Sequence, residues 1–561
     1  MKKQGYVGLA AFAFTASMLT GCKIGDLEVT IDKDPVEMHG DSIRVHVKVR
    51  VPEKGMPKKG SAVFTPKLGN KAFTSIEVKG EKAIGNGKTI NYKPGAILDY
   101  TDVIAYTPEL ENAELSISGI YTKGKKEKEI PAEKLADGTI ITPLLIQNDD
   151  KSLLGNDEFV RTTEEVYTES QINFSKAKSN ISSSELKQAD VKALIEWMTA
   201  AMTNPKVAPK SINLVSFASP EGEVGKNGTL ADDRANSTKE AMVKILAKIK
   251  YEGADAMLKT MPKGEDWAGF KAAVNASDLD DKALIIRVLE MTKDPVQREE
   301  DIKKMSKTYQ RLEKDILPAL RRTQINVVYD KIGWSDEELK GLSTSNPDTL
   351  TVEELLFTAT LSDDLNEKLR LYNLVVSQYA TDWRGPNNVG AIQYMQNDMA
   401  SAKVNFEKAN SLNENPVSLN NLGLVARQEG DREKASELFN SALSAGSEVK
   451  YNLGLIDIQN GDYEQAIGNM GSENTFNKAL AQVLAGDNES ALSTLDASAD
   501  NNTAIGYYLK AIIGARQNNL DLLTNNLTSA IAKDSSLKSK ALKDREFIEF
   551  LDNAVFQNLV K

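Results

Sequence analysis

From about residue 27 to 150 apolar and polar side chains alternate. Ile43, Val45, Val47, Val49 and Val51 are interleaved with Arg44, His46, Lys48 and Arg50, which places the five apolar side chains on one face of a strand and His46 on the wet face. Shorter strands are expected at Ala62–Phe64, Ile76–Val78, Val103–Tyr106 and Leu115–Ile117, separated by Gly, Pro and Asn at the spacing of a β-sandwich. Within this region Gly85-Asn86-Gly87-Lys88-Thr89 matches the end of a phosphate-binding loop. Such a loop needs glycine where Lys82 stands and a helix after it, so the expected structure is a hairpin turn on Asn86-Gly87, without nucleotide binding.

Between about 164 and 332 both periods occur. A strand over Glu165–Phe174 precedes an amphipathic helix over Ser184–Met202, whose Leu186, Val191, Leu194, Ile195 and Met198 share a stripe and whose N-cap is sought among Ser182, Ser183 and Ser184. A second strand, Ser211–Phe217, leads through a Pro-Gly loop into a helix beginning near Leu230, and a late strand, Thr323–Tyr329, closes the segment. Between them lies a helical insertion in which Ile302, Met305, Tyr309, Leu312 and Ile316 recur at three- and four-residue steps. The order β-α-β-α-β predicts an α/β sandwich.

After Gly333 the pattern turns helical and repeats itself. Asp398 and Asp431, Ala402 and Ala435, and Phe406 and Phe439 are each 33 residues apart; Gly423 and Gly454, Gly430 and Gly461, and Ala435 and Ala466 are 31 apart. Such periods predict a helical-repeat solenoid. Small residues let paired helices approach, and Gly430-Asp431, Gly461-Asp462 and Gly486-Asp487 stop one helix and start the next. Later intervals shorten to 25, which predicts degenerate units and a cap around Phe547–Phe556. Leu422-Gly423 and the series Ala435, Phe439, Ala442 resemble tetratricopeptide repeats over residues 386–540. That resemblance implies protein partners held by the repeats.

The whole is a multi-domain chain: signal peptide 1–21, all-β sandwich 22–150, α/β domain 160–332, helical connector 333–385 and all-α repeats 386–561. Its 561 residues are too many for one core. The signal peptide is read from Lys2, Lys3 and the apolar stretch Tyr6–Leu19. Leu19-Thr20-Gly21-Cys22 resembles a bacterial lipobox, which implies cleavage before Cys22 and a lipid on its sulfur. Cys22 is the chain's single cysteine, so no intrachain disulfide can form. Lys23 follows where inner-membrane retention signals carry Asp, so the expected location is the outer membrane, lipid-anchored, on the periplasmic face.

Charge and chemistry narrow the function further. The formal net charge is −11, with 32 acids against 19 bases after Gly333, which argues against nucleic acid as partner. Two histidines, His39 and His46, leave most of the chain without the commonest general base and metal ligand. The carboxylate pairs Asp232-Asp233, Asp280-Asp281, Glu299-Glu300 and Asp363-Asp364 diverge by about 100° on a helix and share no proton site. No nucleophile elbow, metal spacing or dinucleotide fingerprint occurs. The expectation is no enzyme, no catalytic residue, no metal and no cofactor.

One constellation points to a ligand. Ser216-Phe217-Ala218-Ser219-Pro220-Glu221-Gly222, followed by Asn227, Leu230, Asp233, Arg234 and Ala235, resembles the core of OmpA-like peptidoglycan-associated domains. The resemblance implies that Arg234 meets a carboxylate of diaminopimelate and that Asn227 stands at the family asparagine. Ser219 occupies the position of the family aspartate and has no charge for the ammonium group, which leaves Glu221 or Asp233 to meet it. The variant loop, Glu265-Asp266-Trp267 and Leu317-Pro318-Ala319-Leu320-Arg321-Arg322 also resemble a subgroup of outer-membrane lipoproteins joining a β-domain, a diverged OmpA-like domain and helical repeats. Two functions follow: an envelope scaffold that docks proteins and contacts peptidoglycan, or an assembly or secretion factor whose OmpA-like domain is only structural.

Overall fold

The computed structural model describes residues 10–14 and 27–561; Cys22 and most of the signal segment lie outside the described residues. The chain forms two compact units, one built from residues up to Gly155 together with Asp363–Lys561, the other from Asn156–Ser362. Among the described residues no helix is long and apolar enough to cross a membrane.

The first unit begins with two sheets. In one, Ser42–Val51 pairs with Ala96–Ala105 on one side, and on the other with Leu27–Ile31 and Val36–His39. The other runs in the order Lys126–Ala136, Leu115–Lys123, Gly60–Leu68, Ile76–Gly80, Lys88–Ile90. Ile43, Val45, Val47, Val49 and Val51 are all buried and meet Phe64, Leu68, Val78 and Ile117, so the period-two stripe forms the core of a β-sandwich. The Asn86-Gly87 hairpin is not formed: Lys88–Ile90 runs parallel to Ile76–Gly80. The chain between them swings out and returns, because Gly87, at φ +105°, lies against the Glu77 backbone, where a Cβ would sit 2.7 Å from its carbonyl.

The same unit ends in five helical hairpins: Arg384–Met395 with Met399–Leu412, Pro416–Gln428 with Arg432–Ser441, Ser447–Asn460 with Tyr463–Met470, Phe476–Ala485 with Asn488–Asp496, and Ala504–Arg516 with Leu520–Lys533. Each helix buries a stripe that no single hairpin could cover alone, which is why the repeats stack. The glycines act as the spacing suggested. A Cβ on Gly423 would lie 2.6 Å from the Phe439 ring, and one on Gly390 2.8 Å from Phe406. Gly430, Gly461 and Gly486 end their helices in the left-handed region, and Asp431 and Asp487 cap the next ones by accepting from Lys434 and Ser490 amides. The later units, degenerate in sequence, are regular in structure, and Phe547, Phe550 and Phe556 close the end.

The second unit is a four-stranded sheet in the order Thr162–Asn173, Arg322–Ile332, Val207–Ala218, Leu258–Glu265. Helices Ala189–Ala201 and Val224–Lys248 cover one face through Val191, Leu194, Met198, Met242 and Leu246. Leu258–Glu265, parallel to Val207–Ala218, was not expected from the sequence. The first helix is preceded by a 3-10 turn over Glu185–Lys187, whose start the Ser182 hydroxyl caps, so Gln188 rather than a serine is its N-cap. The second helix starts at Val224, six residues before Leu230. The insertion makes a core of its own from Phe270, Ile285, Ile302, Leu312 and Ile316. Of the helices between 333 and 385, Asp336–Ser345 and Val352–Thr360 belong to this unit, while Leu365–Gln378 belongs to the first.

Two glycine-to-alanine changes should therefore differ in sign. Gly423→Ala forces the Phe439 contact apart and is expected to cost about 1–3 kcal/mol. Gly228→Ala, inside the Val224–Lys248 helix with nothing within 4 Å, is expected to gain up to about 1 kcal/mol. Urea unfolding midpoints of the two variants and the parent check both signs.

Candidate functional site

The inner face of the solenoid holds an extended stretch of its own chain. After the β-sandwich, Leu145 and Ile146 pack on the last hairpins, and residues 147–155 run without regular secondary structure along the first helices of the repeats. An extended segment lying half-buried against helices has no sheet to satisfy its peptide groups. Asparagine side chains do so here. Asn477 accepts from Gln147 N at 2.8 Å and donates to its carbonyl at 2.9 Å. Asn452 treats Lys151 the same way, at 2.7 and 2.9 Å, and Asn421 treats Leu153, at 2.8 and 2.7 Å. Asn388 closes the series on Gly155, at 2.7 and 3.1 Å. A carboxamide carries one acceptor and an N–H donor in the geometry of a peptide bond, so each asparagine supplies one rung of a β-ladder from a helix.

A second row supports the first. Asn420 and Asn387 donate to the Lys151 and Leu153 carbonyls, and their own oxygens accept from Asn452 and Asn421 of the neighbouring repeat. All six asparagines are fully buried. Side chains of the strap are read less strictly. Asp150 accepts from Arg427 at 2.8 Å, in a pair only 5% and 2% exposed, and from Tyr394 at 2.8 Å. Asp149 accepts from Tyr451 at 2.6 Å and from Asn477 at 2.7 Å. Burial, then the Asp150 charge, pushes the Tyr394 hydroxyl up; burial, then the bond to Asp149, does the same at Tyr451, which keeps both as donors. Leu153 and Leu154 rest on the apolar cluster around Phe406, Leu424 and Phe439.

None of these asparagines was singled out from the sequence. The available signal was the pair Asn387-Asn388 recurring 33 residues later as Asn420-Asn421, with Asn452 at the next repeat. Asparagine is rarely fully buried, so its return at the repeat period on otherwise small and apolar helices marks polar groups awaiting a backbone.

In the second unit, Ser219, Glu221, Asn227 and Arg234 line one cavity of about 600 Å³, with Lys176, Glu223, Lys226 and Asp233 also on its wall. Their bonds distribute the roles. Arg234 is 1% exposed and donates to the carbonyls of Lys178, Phe217 and Ser175 at 3.0, 2.9 and 3.3 Å, with its plane over Phe174. Burial, then the nearby Arg321 charge, pushes it down to about 10. Glu221 is paired with Arg321 at 2.8 Å and Lys176 at 3.1 Å. Burial would raise its carboxyl, but the Ser219 hydroxyl and these two cations hold it below its ordinary value. Asn227 donates to the Glu221 carbonyl and to Glu265 at 2.9 and 2.8 Å. Arg234 thus ties the 175–178 loop to the strand end, and Arg321 and Lys176 are the cations that face Glu221.

Residues 417–445 match the family model of the tetratricopeptide repeat. They span the second hairpin, which carries Asn420, Asn421 and Arg427. No curated protein matches the chain. Similar solved structures include YrrB, described as a TPR protein with an unusual peptide-binding site, at 17% identity over 37% of this chain and 100% of that one, with a TM-score of 0.22. The Cut9–Hcn1 hetero-tetramer of the APC/C follows at 12% identity, covering 66% and 81%, TM-score 0.32, and yeast Tom70 at 12%, covering 60% and 87%, TM-score 0.27.

Removing one member of the buried pair leaves a charge without a partner. Arg427→Met is expected to destabilise the first unit by about 3–5 kcal/mol, and adding Asp150→Leu should recover most of that loss. Urea unfolding of the single and double variants checks it; equal loss in both would show that the pair is not what Arg427 supplies.

Proposed function

We propose that the protein is a non-enzymatic lipoprotein of the outer membrane, anchored through Cys22 on the periplasmic side, which serves as an envelope scaffold and docks proteins through its helical repeats. The observation that carries the docking is the inner face of the repeats, which holds an extended polypeptide by its peptide groups. The tetratricopeptide match over 417–445 supports the same reading. The anchor rests on Leu19-Thr20-Gly21-Cys22. Several acyl chains, at about 0.8 kcal/mol per buried methylene, hold such a protein durably.

The test takes two measurements on one strain. Metabolic labelling with palmitate should mark the parent and not Cys22→Ser, and only the parent should fractionate with the outer membrane. Photo-crosslinkers on the repeats should trap a defined protein in intact cells, and those on the second unit should not. An unlabelled parent removes the anchor; capture that ignores the repeats removes the docking.

A peptidoglycan contact through the second unit is a further reading, favoured by the gathering of Ser219, Glu221, Asn227 and Arg234 around one cavity. With Arg234 committed to carbonyls, a carboxylate entering the cavity would meet Lys226, and an ammonium Glu223 or Asp233. The Cys22→Ser protein should sediment with purified sacculi, and Lys226→Ala with Asp233→Ala should reduce this at least tenfold. Sedimentation unchanged in that variant, or absent in the parent, leaves the alternative in which this unit is only structural.

A further inference from the structure

The groove of the repeats is already filled, and what fills it belongs to the same chain. The hold on residues 147–155 falls mainly on peptide groups that every sequence offers: the N–H and C=O of residues 147, 151, 153 and 155. Side-chain selection comes from few points. Arg427 and Tyr394 require an acid at 150, Tyr451 and Asn477 one at 149, and the Phe406–Phe439 cluster requires apolar groups at 153 and 154. Trp383 requires glycine at 155, since a Cβ there would lie 2.8 Å from its ring. The Gln147 and Asn148 side chains are exposed, and no regular element flanks the strap from 146 to 161. An empty groove would strip the asparagine side chains and the Arg427 guanidinium of the bonds they make to the strap, at a cost of about 1–3 kcal/mol for each buried neutral group left unsatisfied and more for the charge. The groove is therefore built to hold an extended strand rather than to stand open.

We propose that residues 147–155 are a resident ligand in cis, and that the groove is a docking site for an extended segment of a partner protein with an acidic pair followed, after two intervening residues, by two leucine-like residues and a glycine. The acids of the partner replace Asp149 and Asp150 on Tyr451 and Arg427, and its backbone takes over the asparagine rungs. This rests on the reading that the repeats dock proteins and names what they select. It also makes access conditional, because a partner in trans competes with a tethered copy of its own motif. Such a tether acts at an effective concentration in the millimolar range, so the parent protein binds weakly until the strap is displaced.

A fluorescent peptide of residues 145–156 is the probe. Asp149→Ala with Gly155→Val weakens the strap while leaving every groove residue in place. This variant should bind the peptide at least tenfold more tightly than the parent, and adding Arg427→Met should reverse the gain. Circular dichroism establishes that each variant is folded. Independently, hydrogen exchange in the parent should show the amides of Lys151, Leu153 and Gly155 opening faster than those of the helices around them. A folded strap variant that ignores the peptide, or dimerises by lending its strap to a second copy, overturns the proposal. So do strap amides that exchange only with global unfolding of the unit. If cells yield a partner crosslinked to the repeats while the peptide fails, docking stands and this site falls; if the peptide binds and no partner is trapped, the reverse holds.

Discussion

A peptide group taken out of water must find a hydrogen-bond partner, and the segment 147–155 meets that demand without belonging to any sheet. Helices cannot lend their own backbone, since their N–H and C=O groups are spent on each other. Side-chain amides are the available substitute, and they must be short and rigid to hold register, which asparagine is. The result binds the β-sandwich and the solenoid into one unit although over two hundred residues separate them in sequence. Other contacts reinforce the seam. The Tyr463 hydroxyl accepts from Gly40 N at 2.9 Å, and Arg516 bridges Glu37 and Glu546. Gly40 and Gly461 meet there too closely for a Cβ on either, so the approach of sandwich and repeats is fixed by two residues that lack one.

What could be read beforehand was what repeats. The valine stripe of Ser42–Val51 and the Phe406–Phe439 spacing each reflect one face facing one core, and period alone reveals that. The segment Leu258–Glu265 escaped because it is an edge strand: one side chain is buried, most are exposed, and Pro262 and Gly264 interrupt it. The start of the Val224–Lys248 helix was hidden by Gly225 and Gly228, which read as loop residues yet sit in helix under the loop that Asn227 ties. The strap carries no period at all. Its structure is dictated by groups 233 to 330 residues away, and only the paired asparagines, returning at the interval of the repeat, hinted at it.

The second unit answers a similar demand with the opposite outcome. There the loop at 175–178 and the end of Val207–Ala218 leave carbonyls that Arg234 collects, while Arg321 neutralises Glu221. A guanidinium with this many backbone acceptors has little left for a ligand. Arg234 and Asn227 therefore hold loops in place, and lysines and acids stand around them on the cavity wall.

Electrostatics decides why an acidic solenoid nevertheless holds an acidic strap. With acids well in excess after Gly333, long-range attraction would draw basic segments, yet surface charges are screened within about 8–10 Å at physiological salt. Arg427 and Asp150 are almost wholly out of water, where screening is weak and an unmatched charge is costly. One buried cation in the groove thus outweighs many solvated anions outside it in choosing what may lie there. The outer charge is screened by salt, while the interior holds a strand that brings its own carboxylate. Selection of this kind comes from the penalty on the wrong guest as much as from contacts with the right one.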